Sequence, residues 1–71
     1  VLKFNVTNPF DNEIIVFTYQ NIKSLKLHDL AGNLICFGKS AMIHVPHISK
    51  GVYILTIDMD KSLQRIKVFK Q

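Results

Sequence analysis

The sequence predicts an antiparallel all-β sandwich of about seven short strands. Three observations carry this. Apolar residues alternate with polar ones at a period of two, as they do along half-buried strands. Clusters of Gly, Pro, Asn, Asp and Ser interrupt them roughly every 8–12 residues, the spacing of sandwiches and barrels. No helical i, i+3, i+4 stripe outweighs this alternation, so the strand reading stands.

The elements follow in chain order. Leu2, Phe4 and Val6 alternate with Lys3 and Asn5 and open the first strand. Asn8-Pro9-Phe10-Asp11-Asn12 reads as a turn, because Pro and Asn preset turn dihedrals. Glu13 to Tyr19, rich in β-branched and aromatic residues, reads as a buried strand that Gln20-Asn21 ends. Leu25 and Leu27 alternate with Ser24, Lys26 and His28 in a half-buried strand. Asp29 to Asn33 forms a hairpin loop, with Gly32 and Asn33 suited to positive φ, and Leu34 to Phe37 returns. Gly38-Lys39-Ser40 turns into a short strand, Met42 to Val45, stopped by Pro46, whose missing N–H keeps it out of a central ladder. Ser49-Lys50-Gly51 leads into Val52 to Asp58, where Tyr53, Leu55 and Ile57 share a core face. The opposite face, Val52, Ile54 and Thr56, is also largely apolar, so this strand is central or partly covered. Asp58 to Lys61 is the last hairpin loop, and Leu63 to Phe69 closes the chain.

With 71 residues, the chain is one domain spanning residues 1–71, with a thin core. Its 48% hydrophobic and 20% charged composition is that of a compact fold and not of a disordered tail. No apolar run approaches the roughly 20 residues of a membrane helix, so direct membrane insertion is not expected. The start, at Val1, has no basic stretch leading into an apolar core, and the chain reads as a segment of something longer. The single cysteine, Cys36, excludes an internal disulfide and reads as a small buried hydrophobe.

The net charge of +4 is unevenly placed. Lys3, Lys23 and Lys26 balance Asp11, Glu13 and Asp29 in the first half. Lys39, Lys50, Lys61, Arg65, Lys67 and Lys70 outweigh Asp58 and Asp60 in the second. Such a positive end suits an acidic partner surface, or it solvates outer faces and guards edge strands.

Candidate chemistry is sparse. His44 and His47 are three apart, which on a strand sends them to opposite faces, so no zinc site or other metal site is expected. Asp58 and Asp60 read as turn residues bonding their own backbone, since a calcium loop needs further oxygen ligands. Gly32 and Gly51 are isolated and precede no helix, so no phosphate loop and no cofactor is expected. No nucleophile elbow or acid–base pair can be drawn, so no catalytic residue is assigned. The aromatics Phe4, Phe10, Phe17, Tyr19, Phe37, Tyr53 and Phe69 are scattered over separate strands and read mostly as core, which argues against nucleic-acid binding.

Four segments in register are similar to a known family. Asn8-Pro9-Phe10 follows a first strand. Leu25-Lys26-Leu27-His28-Asp29-Leu30-Ala31-Gly32-Asn33-Leu34-Ile35 has the form apolar–x–apolar–aromatic–Asp–x–x–Gly–x–apolar, with His28 where an aromatic such as Tyr is more usual. Ile48-Ser49-Lys50-Gly51-Val52-Tyr53-Ile54-Leu55-Thr56-Ile57 matches a Gly-Val-Tyr strand, and Lys67-Val68-Phe69-Lys70-Gln71 a basic-apolar terminus. The chain resembles the C-terminal sorting domain of the type IX secretion system, also called the Por secretion system, and departs from it before Asn8 in lacking a Tyr-Pro lead.

The resemblance implies an immunoglobulin-like antiparallel β-sandwich at the end of a longer secreted protein. It implies a non-catalytic export tag, covalently linked to an N-terminal cargo. The cargo would pass through the periplasm to the outer-membrane machinery, lose the tag to a sortase-like cysteine peptidase, and reach the cell surface or medium, free or attached to anionic lipopolysaccharide. Translocon recognition is expected at the terminal strand, Ile66, Lys67, Val68, Phe69, Lys70 and Gln71, with the two lysines offering charge and Val68 and Phe69 apolar contact. Strand addition at an exposed edge is one way to dock it. Asn8, Pro9, Asp29, Gly32, Gly51 and Tyr53 are expected to support the fold. The competing expectation is an immunoglobulin-like accessory domain of an extracellular enzyme, either a spacer or a carbohydrate-binding module using Phe10, Tyr19 or Phe37 as a platform.

Overall fold

The computed structural model describes residues 4–71 and contains strands only, in two antiparallel sheets. The strands are β1 (Phe4–Val6), β2 (Glu13–Thr18), β3 (Ile22–His28), β4 (Leu34–Gly38), β5 (Met42–His44), β6 (Gly51–Met59) and β7 (Ser62–Lys70). One sheet has the order β1-β2-β5 and the other β4-β3-β6-β7. The expected immunoglobulin-like sandwich of seven strands is therefore what forms. Leu2 and Lys3, read as part of the first strand, lie outside the described residues.

The core follows the period-two alternation. Ile14, Val16 and Ile43 from the smaller sheet meet Leu25, Leu27, Tyr53, Leu55, Ile57, Met59 and Val68 from the larger one. Leu25, Leu27, Leu55, Ile57 and Val68 are wholly inaccessible. Burying such a side chain contributes about 1.5–3 kcal/mol, so these positions dominate a small domain.

Several local readings need correction. Glu13 to Tyr19 is not a buried strand, because only Ile14 and Val16 face the core while Phe17 and Tyr19 face solvent. The 22–28 strand begins at Ile22, earlier than the alternation suggests. The last hairpin loop shrinks to Asp60-Lys61, because the face shared by Tyr53, Leu55 and Ile57 continues to Met59 and pulls it into the core. The turn cluster 8–12 contains Phe10, which is buried to 1% exposure and forms a parallel bridge with Lys70. Only Phe10 and Tyr53 among the aromatics are buried, so most of the aromatics lie outside the core, against expectation.

The 29–33 loop is held by Asp29. Its Oδ1 accepts from the backbone N–H of Ala31 at 2.9 Å and of Asn33 at 2.8 Å, and its Oδ2 accepts from Asn33 Nδ2 at 3.0 Å. Gly32 alone in this loop takes a positive φ, 92°, so Asn33 serves as a side-chain donor and not as a left-handed residue. These hydrogen bonds, the Asn33 side chain foremost, hold the Asp29 carboxyl below its ordinary value of 3.8. A carboxylate depressed in the folded state adds stability above its unfolded pKa and loses it as the pH falls through the folded one. Thermal melts above and below the carboxylate range should show the wild type losing more stability in acid than Asp29→Asn, and parallel acid limbs would overturn this role.

Candidate recognition surface

The terminal strand is built from both ends of the chain. Its alternation sends Leu63, Arg65, Lys67 and Phe69 outward and Val68 into the core, with Ile66 packed against that core. Lys67 stands beside Ile54 and Phe69 beside Val52 on the outer face of the larger sheet. The side chain of Lys70 is only 10% exposed, and its Nζ lies 3.2 Å from Asp11 Oδ1 and donates to the Gln71 carbonyl at 2.8 Å. Within Ile66–Gln71, the charge and apolar contact open to a partner are those of Lys67 and Phe69.

The outer edge of this strand is closed over its last five residues. Asn8 inserts its side-chain amide as a surrogate peptide, Nδ2 donating to the Lys67 carbonyl at 3.2 Å and Oδ1 accepting from the Phe69 N–H at 2.9 Å. The Phe10 N–H donates to the Phe69 carbonyl at 2.8 Å, and the Gln71 N–H to the Phe10 carbonyl at 2.9 Å. Phe10 is fixed in turn by its ring, which meets Tyr53 edge-on at 6.4 Å and 66°. The Tyr53 hydroxyl donates to the Ser49 carbonyl at 2.7 Å, just ahead of Gly51. Gly51 opens β6 at φ 146°, a value that side chains with a Cβ rarely adopt. Asn8, Gly51 and Tyr53 thus belong with Phe10 to one assembly that holds β7, with Pro9 between Asn8 and Phe10 in the chain, while Asp29 and Gly32 shape the opposite hairpin. The local sequence gave no sign of this latch, since its partners are about 60 positions apart (59 for Asn8 and Lys67).

Other candidates separate. His44 Nδ1 lies 3.8 Å from Glu13 Oε2 on an exposed cross-strand pair, and His47 is exposed beyond Pro46. No cluster of metal-ligating side chains occurs among the described residues. Asp58 sits on the outer face of β6, opposite Leu63 and Ser24. Asp60 does not bond its own backbone as expected, but accepts from Asn21 Nδ2 at 3.2 Å. Cys36 is half-buried on β4, and burial pushes its thiol pKa up, away from a reactive thiolate. Of the platform aromatics, Phe10 is buried, while Tyr19 is exposed just beyond β2 and Phe37 is exposed on β4 of the other sheet.

The family model for secretion-system C-terminal sorting domains matches residues 7–71. The chain belongs to that family. No curated protein and no solved structure matches it. The match begins at Thr7, so it takes in Asn8-Pro9-Phe10 and the strand that this segment closes. As a sorting domain of the type IX system, the domain is a C-terminal signal recognised by that machinery, and it marks its protein for the cell surface or the extracellular space. The sorting-domain family is non-catalytic.

Proposed function

We propose that this sorting domain is a folded export tag, covalently linked to an N-terminal cargo and carried through the periplasm. The outer-membrane machinery reads it at Ile66–Gln71, and a sortase-like peptidase then cuts it from the cargo near its N-terminal border. The observation that carries this reading is the family match over residues 7–71. The outward placement of Lys67 and Phe69 supports recognition at the terminal strand.

The test is a fluorescent reporter carrying residues 1–71 at its C-terminus behind a periplasmic signal. Export is expected in a bacterium with an active type IX system and not in a translocon-deficient strain. Loss of the tag from exported reporter, dependent on the peptidase, is the second expected result. Retention in the periplasm of both strains would defeat the reading.

One observation favours the accessory-domain alternative. Phe4, Phe17 and Tyr19 line a depression of about 430 Å³, and Tyr19 is fully exposed. Glycan-array binding that Phe17→Ala and Tyr19→Ala abolish would support it.

A further inference from the structure

We infer that the machinery docks on the outer face of the β4-β3-β6-β7 sheet, through an acidic protein surface bearing apolar side chains, and not by adding a strand to β7. This rests on the reading of the domain as an export tag and specifies how that tag is read.

The first argument is the closed edge. A strand added beside residues 67–71 needs the Lys67 and Phe69 carbonyls and the Phe69 and Gln71 N–H groups, and Asn8 and Phe10 already hold all four. The unlatched part of the outer edge, up to Arg65, is short, and short, charged edges resist pairing.

The second argument is what the register lays side by side. Across the sheet, Phe37 stands beside Lys26, Lys26 beside Thr56, and Thr56 beside Arg65. In the next row Leu34 stands beside His28, His28 beside Ile54, and Ile54 beside Lys67. Three cations from two strands, β3 and β7, therefore share one face with Phe37 at 61%, Leu34 at 51% and Phe69 at 50% exposure. Exposed apolar groups ringed by charge mark protein contact surfaces. Two carboxylates lie on or beside this face. Asp58 shares it, and Asp29 lines the shallow depression between His28, Ile54 and Arg65. Asp29 is already satisfied by its own loop. A mixed face with a positive excess fits a protein of matched, mainly acidic pattern, whereas an anionic lipid surface would repel both carboxylates.

The reporter fusion tests this with Lys26→Glu, Arg65→Glu and Lys67→Glu combined. Export should fall by on the order of tenfold or more, since like charges brought together are strongly unfavourable. The melting temperature should stay within about 5 °C of wild type, because all three side chains are exposed. The charge-keeping set Lys26→Arg, Arg65→Lys and Lys67→Arg should export. Lys39→Glu, Lys50→Glu and Lys61→Glu, likewise exposed but in the connecting turns, should also export. Wild-type export with an unimpaired face triple would overturn the docking surface alone, whereas failure of wild-type export would defeat the export-tag reading beneath it. Equal loss in the turn triple would reduce the effect to net charge and overturn the inference. Binding of the purified domain to phosphatidylglycerol vesicles, abolished by the face triple, would assign the face to lipid and overturn it too.

Discussion

Phe10→Ala should melt about 12–40 °C below the wild type, at about 4–8 °C for each kcal/mol lost by a domain of this size. Phe10 is 1% exposed, and truncating a buried Phe typically costs about 3–5 kcal/mol. A 71-residue domain has a total stability of roughly 4–11 kcal/mol, so this one side chain carries a large share. The effect exceeds a simple cavity because of what the ring positions. With the ring wedged against Tyr53, the Phe10 backbone N–H and carbonyl reach Phe69 and Gln71. Losing the ring loosens the latch as well as the core. Phe37→Ala, 61% exposed, is the control and should leave the melt nearly unchanged. Thermal melts of both variants check this, and a Phe10→Ala midpoint equal to that of Phe37→Ala would overturn the packing of this segment.

The Phe10 case shows where sequence reasoning stops. Period-two alternation located Leu25, Leu27, Tyr53, Leu55 and Ile57 in the core, because a strand with one apolar face has one way to bury it. Asp29 and Gly32 announced their hairpin through local chemistry, an Asp that caps its own loop and a glycine at positive φ. Phe17 and Phe37 misled, because a strand apolar on both faces does not say which face is covered. Asn8 and Phe10 misled for a different reason. Asn-Pro favours a turn locally, but the job of this turn is set by a strand about 60 positions away. The terminal strand was legible as a candidate site from its basic-apolar pattern. Its closed edge was not, since no local pattern reveals that a side-chain amide replaces a neighbouring strand.

Deleting Lys67–Gln71 should unfold the domain, which changes what that deletion can say about recognition. The cut removes Val68, wholly buried, at a cost of about 1.5–3 kcal/mol. It also removes the pairing of Ile54, Tyr53, Val52 and Gly51 with Lys67 through Lys70. The latch bonds from Asn8 and Phe10 go with it, each worth about 0.5–1.5 kcal/mol. Together these losses match the roughly 4–11 kcal/mol that holds such a domain. Circular dichroism and urea titration of the truncated domain should show no cooperative transition. Lost export after this deletion then reports unfolding, and recognition has to be probed by outward substitutions such as Lys67→Glu and Phe69→Ser, which leave Val68 and the backbone bonds in place. A truncated domain that melts cooperatively would overturn this account of β7. If such a folded truncation were also not exported, the five missing residues would themselves carry recognition.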